Sequence, residues 1–453
     1  MAASVAGLVL AVGFLGVAAA GAATGDWPMF QGGPEHTGSA DGAVEPPLKA
    51  TWRYPASGGT VVSSPVVVGG TVIVETSDAV VGIDAAAGTV SWTHAREAGP
   101  VAPVAIDPNA QGGLVVYSQG QAAGPGLAAV TLAFLETQGS GIAPNTHKSK
   151  PGGWTFTLDK PARGGPTIAD GKVFVGTDGG SVYAVDESTG QQAWRASVGG
   201  AVLTPPAVSG GKVFVVAASG KDFLDRLVAF DEATGKLVWS YSQALGVAGA
   251  TAPTTTDGRV FVGLGDGSMR AFRAGNGDPL WAQGTGADFK ADSAPAVSGD
   301  SVYVTDAAAG LDRFKITDGH REWNYLFEEG LTAAAPLVGS SVVYVGMSDG
   351  SIAAVDLSTG NLVWRSASGT GGVGPLAPAG DVLIAQHQGA KGSIVAYAHD
   401  PAGSLVDVAS PSRLDPGRAL LDYLVALAIV LVFLAIFWLL EARVRQRRGE
   451  AVA

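Results

Sequence analysis

Short apolar runs separated by turn residues recur along most of the chain. The clearest copy reads Gly171-Lys-Val-Phe-Val-Gly-Thr-Asp-Gly-Gly-Ser-Val-Tyr-Ala-Val-Asp-Glu-Ser-Thr-Gly-Gln-Gln-Ala-Trp194. Its runs 173–175 and 182–185 are rich in β-branched and aromatic residues, which predicts two β-strands. Asp178-Gly179 between these runs is a hairpin signal. A third short strand is predicted to end at Trp194.

Tryptophan marks each copy of this unit. Eight tryptophans follow one another at intervals of 40, 62, 40, 45, 42, 42 and 41 residues, by subtraction of their numbers: Trp52, Trp92, Trp154, Trp194, Trp239, Trp281, Trp323 and Trp364. A period in the low forties indicates one supersecondary unit copied many times. A single unit cannot bury its own apolar faces, so the copies must stack or close into a ring.

Two further positions repeat within the unit. A glycine stands four residues before six of the tryptophans: Gly88, Gly190, Gly235, Gly277, Gly319 and Gly360. An aspartate stands eight residues before four of them, and Arg273 and Lys315 replace it in two units: Asp84, Asp186, Asp231 and Asp356. The carboxylate can accept backbone N–H bonds that close a turn, and glycine can adopt the positive φ that other residues resist. We interpret all these positions as structural, with the tryptophans packed between adjacent units.

A Pro-x-Val type segment precedes each unit and supplies a fourth strand, for example in residues 64–68 and 335–338. Four-stranded antiparallel units of this length, repeated radially, are the blades of a β-propeller. The long interval before Trp154 contains residues 139–153, which are polar and rich in glycine and proline. Such a composition predicts a surface loop.

The ends of the repeat predict how the ring closes. Residues 381–385 and 393–397 give the last unit its middle strands, but no tryptophan follows them. Residues 48–52 form a lone final strand without a unit of its own. The N-terminal strand should therefore complete the C-terminal blade, which leaves no free sheet edge. The sequence predicts an all-β fold with eight four-stranded antiparallel blades over residues 48–403.

The segments outside the propeller suggest a membrane protein. Residues 1–24 are apolar with small residues at their end, which is typical of a signal peptide or an N-terminal anchor. An extended lead-in, 25–47, follows. At the other end, a linker (404–418) precedes an apolar stretch (419–440) long enough for one transmembrane helix. The arginine-rich tail, 441–453, should then be cytoplasmic and the propeller extracytoplasmic, at the cytoplasmic membrane.

Composition narrows the chemistry. The chain has 66 glycines, 25 prolines and no cysteine, so disulfides and thiolate chemistry are excluded. A formal charge of −12 argues against nucleic acid as a partner. The six histidines lack ligand spacing, so no metal site is predicted among them, and no local signature of a catalytic nucleophile is present.

The best candidate site follows from the geometry of a propeller rather than from a sequence motif. Segments leading into the innermost strands should converge on one mouth of the central channel, where side chains from many blades meet. These segments carry six charged candidates for ligand or cofactor binding: Arg163, Asp288, Lys290, Asp292, Glu328 and Glu329. The competing interpretation is that they are solvated charges on the rim.

The repeat resembles the PQQ-like propeller family, which includes quinoprotein dehydrogenases and BamB-type outer-membrane assembly factors. The matching pattern is Val-Phe-Val-Gly-x-x-Asp-Gly-x-Val-Tyr-Ala-Val-Asp-x-x-Thr-Gly-x-x-x-Trp, and residues 26–38 look like the segment before the first blade. For a dehydrogenase, the resemblance implies PQQ held with calcium, an aspartate base and a vicinal disulfide. For a BamB-type protein, it implies an N-terminal lipid on a cysteine. The absence of cysteine departs from both patterns.

Three functions remain open from the sequence. The leading hypothesis is a non-catalytic scaffold that binds protein partners in a membrane complex and is tethered to the bilayer through the C-terminal helix. The alternative is a PQQ- and calcium-dependent dehydrogenase, or a relative that still binds a small ligand. Its calcium would lie in a carboxylate cluster such as Asp288, Asp292 and Glu328. A third option is a sensor for a cell-wall or carbohydrate ligand.

Overall fold

The computed structural model of the chain describes residues 25–40, 42–56, 63–97, 99, 101–110, 112–121, 124–131, 140–142, 153–218, 224–244, 251–264, 267–284, 293–306, 310–332, 334–389 and 392–406. The predicted signal or anchor (1–24), the transmembrane helix (419–440), the basic tail (441–453) and most of the linker lie outside these ranges. Within them, no helix is long and apolar enough to cross a membrane.

Eight sheets form eight blades, and each consecutive blade begins at its innermost strand. Strand β1 (Leu48–Pro55) belongs to the last blade. Blade 1 contains β2 (Val66–Val68), β3 (Thr71–Glu75), β4 (Ala79–Asp84) and β5 (Val90–Ala95). Blade 2 contains β6 (Ala105–Asp107), β7 (Leu114–Gln121), β8 (Gly124–Thr131) and, beyond β9 (Ser140–Ile142), β10 (Trp154–Thr157). Blade 3 contains β11 (Thr167–Ala169), β12 (Lys172–Gly176), β13 (Ser181–Asp186) and β14 (Gln192–Ser197).

The second half repeats the arrangement. Blade 4 contains β15 (Ala207–Ser209), β16 (Lys212–Ala218), β17 (Leu224–Asp231) and β18 (Leu237–Ala244). Blade 5 contains β19 (Thr254–Thr256), β20 (Arg259–Gly263), β21 (Met269–Arg273) and β22 (Pro279–Gln283). Blade 6 contains β23 (Ala296–Ser298), β24 (Ser301–Thr305), β25 (Gly310–Lys315) and β26 (Arg321–Leu326). Blade 7 contains β27 (Leu337–Val338), β28 (Val342–Gly346), β29 (Ile352–Asp356) and β30 (Leu362–Arg365). Blade 8 contains β31 (Val373–Ala379), β32 (Val382–His387), β33 (Ser393–His399) and β1.

The predicted eight-bladed antiparallel fold and its closure are confirmed. Strand β1 pairs antiparallel with β33, in a register that runs from Leu48 opposite His399 to Pro55 opposite Ser393. The predicted surface loop 139–153 is wrong in part, because β9 within it adds a parallel fifth strand to the outer edge of blade 1. That edge was free to accept another strand.

At six of the eight junctions, a tryptophan ties one blade to the next. The indole Nε1 donates to a backbone carbonyl in the following blade, and the same ring covers the glycine of that blade's turn. Each set below gives the tryptophan, the residue whose carbonyl accepts, and the glycine: Trp52–Ala85–Gly88, Trp154–Glu187–Gly190, Trp194–Glu232–Gly235, Trp239–Ala274–Gly277, Trp281–Ile316–Gly319 and Trp323–Leu357–Gly360. The glycine that the sequence aligns with one tryptophan therefore contacts the tryptophan of the preceding blade.

The junction between blades 1 and 2 is built differently. In the longer unit of blade 2, Lys150 stands where six other units have the glycine, and among the described residues the buried Nε1 of Trp92 has no acceptor. A fully buried ion pair lies at this junction, with 2.9 Å between Arg96 and Glu75. Arg96 also donates twice to the Ser118 carbonyl of blade 2, at 2.8 and 3.1 Å. His94 and Tyr117 add a hydrogen bond of 3.0 Å across the same junction.

The lead-in segment fills the central channel. Its backbone, between Trp27 and Gly38, exchanges hydrogen bonds with the innermost strands of blades 1, 2, 4, 5, 6 and 7. These strands contribute Val67, Ile106, Val208, Thr255, Val297 and Val338. The sequence predicts only an extended lead-in here, because the segment has neither periodicity nor a regular element to place it. Its regular structure is one short 3-10 turn, Phe30–Gly32. We call residues 27–38 the channel segment.

His36 anchors the channel segment through contacts with blade 3 and with the segment that leads into blade 5. Its side chain is fully buried, with Nδ1 3.1 Å from the Pro253 carbonyl and Nε2 3.3 Å from the Thr167 hydroxyl. Burial lowers the pKa of His36 to about 4, although the Pro253 carbonyl opposes this shift. Neutral imidazole is therefore the form that the channel holds.

The contact between tryptophan and glycine predicts that two similar glycine-to-alanine substitutions lower the free energy of unfolding by different amounts. Gly277 has a φ of +77°, and a Cβ there would lie 2.6 Å from the Trp239 ring, whereas Gly258, with a φ of +68°, faces open space. Gly258→Ala should cost about 1–2 kcal/mol for backbone strain alone. Gly277→Ala should cost about 1–3 kcal/mol more, because the indole must move. Urea unfolding of both variants measures the difference in unfolding free energy. Equal midpoints would show that the contact between Trp239 and Gly277 does not stabilise the junction; we call this type of tryptophan–glycine contact the inter-blade lock.

The buried His36 predicts acid sensitivity. Its folded pKa, about 4, lies below the ordinary value near 6.5. The stabilising effect of the neutral ring is therefore complete above pH 6.5 and is lost as the pH falls toward 4, by about 3 kcal/mol. His36→Gln should flatten the pH dependence of the unfolding free energy in this window. The exposed His320, changed to glutamine, is the control; an equal flattening there would refute the assignment.

Candidate functional site

One face of the ring carries the connections between consecutive blades. We call it the loop face, since the segments leading into the innermost strands lie there, for example 158–166 and 366–372. Between blades 7 and 8 this face has a cavity of about 530 Å³, lined by Leu331, Thr332, Ala334, Ser348, Gly372, Pro375 and Gln388. None of these seven residues carries an ionisable side chain. The cavity therefore offers hydroxyl, amide and apolar contacts rather than acid–base chemistry.

Of the six predicted charged residues, the three that the structure describes lie on two sides of the mouth. Arg163 leads into blade 3, where its Nε donates to Asp178 Oδ2 at 2.8 Å. Glu328 and Glu329 follow blade 6, on the opposite side of an eight-bladed ring, and Glu328 is exposed. Asp288, Lys290 and Asp292 lie outside the described residues. The mouth therefore separates Arg163 from the two glutamates.

Glu329 belongs to an ion network beside the cavity. Arg365 contacts Glu329 at 2.6 Å and Asp349 at 2.9 Å. Burial opposes ionisation of Asp349, but hydrogen bonds from Ser351 and Ser368 and the charge of Arg365 outweigh it and lower its pKa to about 2. The two salt bridges hold these three side chains in a fixed geometry on the cavity's rim.

Blade 3 carries a related network on the far side of the mouth. Arg195 donates to Asp159 at 2.7 Å and to the Ser181 hydroxyl at 2.8 Å, as Arg365 does to Ser351 at 2.9 Å. Sequence reasoning missed both arginines. The available signal was that each directly follows its blade's tryptophan, in a unit whose third strand begins at or beside a serine.

The described residues do not supply the calcium ligands that the dehydrogenase resemblance implies. Among them, no three acidic or histidine side chains are close enough to share a metal ion. Of the predicted set, only Glu328 is described, and it is exposed. The centre of the channel is filled by the chain's own residues. We therefore derive no step through a quinone cofactor.

The comparisons with known proteins agree on the type of propeller. A family model described as outer membrane protein assembly factor BamB matches residues 49–133, 151–292 and 249–402. The BamB of Moranella endobia is 27% identical over 220 residues, which cover 48% of this chain and 47% of that protein. The BamB of Xanthomonas campestris is 32% identical over 214 residues, which cover 45% and 52%. The chain spans about half the length of these curated relatives.

Solved structures show the same fold at low identity. BamB from Moraxella catarrhalis superimposes with a TM-score of 0.58 and 19% identity, over 79% of this chain and 99% of that one. A europium-containing methanol dehydrogenase gives a TM-score of 0.64 at 13% identity, over 83% and 98%. At such identities the likeness establishes architecture alone. On the match of the family model over most of the propeller, this chain belongs to the PQQ-like β-propeller family described as outer membrane protein assembly factor BamB.

Proposed function

We propose that this protein is a non-catalytic scaffold, held on the extracytoplasmic side of the cytoplasmic membrane by residues 419–440. The observation that carries the proposal is the filled channel. Residues 27–38 lie among the innermost strands, and backbone hydrogen bonds to six blades hold them there. A propeller whose own chain fills its channel has its outer faces left for binding.

The loop face suits a protein partner. Its cavity between blades 7 and 8 is uncharged, while the adjacent Glu329–Arg365–Asp349 network carries fixed charges. A centre without ionisable groups beside a polar rim is the usual anatomy of a protein interface. The related proteins are described as outer membrane assembly factors, which supports a role within a membrane complex. We extend that role to this chain as a proposal, since it spans about half of their length.

A single bulky substitution tests the docking surface. Gln388 is exposed at the cavity, so Gln388→Trp should leave the fold intact and fill the site. We expect an integral membrane partner, identified by mass spectrometry after purification in mild detergent, to be recovered about tenfold less with this variant. The matched control is Ala86→Trp, at an exposed turn on the other face of blade 1. Equal recovery with both variants would place the contact elsewhere.

The same preparation tests the enzymatic alternative. PQQ and calcium are added to the purified full-length chain, and dye-linked alcohol oxidation is recorded. No turnover above the protein-free control is expected. Reconstituted oxidation would overturn the non-catalytic proposal in favour of a quinoprotein dehydrogenase.

Truncation tests the tether. Residues 420–453 contain the apolar stretch and the arginine-rich tail, whereas the described propeller ends before them. Their removal should move the protein from the membrane pellet to the supernatant after carbonate extraction, with an unchanged far-ultraviolet spectrum. Retention in the pellet after this deletion would show that another segment anchors the chain.

A further inference from the structure

A second, smaller pocket lies on the opposite face of the ring. We call this the turn face, since the turns around residues 170–171 and 187–191 form it. The pocket, about 260 Å³ in volume, lies between blades 2 and 3 and is bounded on one side by the channel segment. Its apolar walls include Pro28, Met29, Ile106, Pro108 and Ile168. Its acidic groups are Asp107, Asp170 and Glu187.

Glu187 is a buried carboxyl for which the described residues supply no cation. Its backbone is fixed, because Trp154 Nε1 donates to its carbonyl at 2.7 Å and its own amide donates to the Gly171 carbonyl at 3.0 Å. The side chain is only 8% exposed, and among the described residues its Oε1 has no hydrogen-bond partner. Burial, followed by the hydrogen bond and charge of the neighbouring Asp107, raises the pKa of Glu187 to about 8.

The repeat contains a matched copy in which the cation is present. Glu232 occupies the position of Glu187 one blade later, and its carbonyl likewise accepts from a tryptophan. Its carboxylate contacts Lys172 Nζ at 3.3 Å. Lys172 is the first residue of β12, and Leu114 is the first residue of the equivalent strand β7. Leucine therefore stands where the neighbouring copy has its lysine.

We propose that the turn-face pocket binds the ammonium group of a lysine side chain from a partner protein, in the place that Lys172 takes beside Glu232. An incoming ammonium would pair with Glu187 and Asp107 and restore the arrangement of the matched copy. Burial beside Asp107 disfavours ionisation of Glu187, and an incoming ammonium would offset that cost by pairing with both carboxyls.

The walls favour a lysine over a metal ion. The methylene groups of lysine can lie against Met29, Ile106 and Ile168 while the ammonium reaches the carboxyls. Calcium takes six to eight oxygen ligands, and among the described residues no three acidic or histidine groups are arranged to hold a metal. This inference rests on the proposed scaffold function only for the source of the lysine, because the pocket can be tested without a partner.

The probe is n-butylammonium, which reproduces the end of a lysine side chain, and n-butanol is its uncharged counterpart. Binding to the full-length chain in detergent is measured by saturation-transfer NMR. We expect butylammonium to bind wild type and n-butanol to bind at least about tenfold more weakly. Glu187→Gln, which keeps the shape but cannot ionise to pair with the ammonium, should weaken butylammonium binding by a similar factor. Leu114→Lys should block the pocket with the chain's own cation.

Glu232→Gln is the matched control, because it makes the same change at the copy that already has its lysine. It should leave butylammonium binding as in wild type. Absence of butylammonium binding to wild type, or equal binding of n-butanol, would overturn the proposal. Calcium binding that is tighter than butylammonium binding and is lost in Glu187→Gln would assign the pocket to a divalent cation instead. None of these results depends on the partner, so failure here is distinct from failure of the scaffold proposal.

Discussion

The stacking of a tryptophan on the glycine turn of the next blade is the constraint on which the rest of this structure depends. A Cβ at any of the six turn glycines would lie within 2.5–2.7 Å of a tryptophan ring atom. The ring can approach so closely only because glycine has no side chain and accepts a positive φ. Each contact also joins an indole N–H to a backbone carbonyl, so it fixes the angle between neighbouring blades as well as their distance. Repetition of one contact thereby sets the geometry of six of the eight junctions, and the pairing of β1 with β33 closes the ring.

Where this contact is absent, other chemistry joins the blades. At the junction of blades 1 and 2 the ion pair of Glu75 and Arg96 is completely buried. The remaining N–H groups of Arg96 donate to backbone carbonyls. A buried pair of this kind is tolerated because its donors are satisfied. The channel segment adds a second form of bracing, since its backbone bonds reach six blades that the sheets themselves do not connect.

The same repeat positions are used for structure in one blade and left for binding in another. Lys172 neutralises Glu232 inside the molecule, whereas Leu114 leaves Glu187 without a cation. On the opposite face, Arg195 and Arg365 follow equivalent tryptophans, but only Arg365 borders the cavity of blades 7 and 8 through its link to Glu329. A rigid repeat tolerates such differences because each changes a local contact and leaves the inter-blade lock intact.

The sequence by itself determined the four strands of each blade, the blade number and the closure by β1, but not the extra strand β9. These features depend on alternation and on a period near 42 residues, which are local properties of the chain. The sequence could not place the channel segment. Gln31 Nε2 donates to the carbonyl of Pro295, 264 residues away, and no periodicity of the sequence predicts such a contact. Likewise, the tryptophan aligned with each glycine belongs to its own unit, yet the ring that covers the glycine comes from the unit before. Which charges meet at the mouth, and which carboxyl lacks its cation, is decided only when the ring brings different blades together.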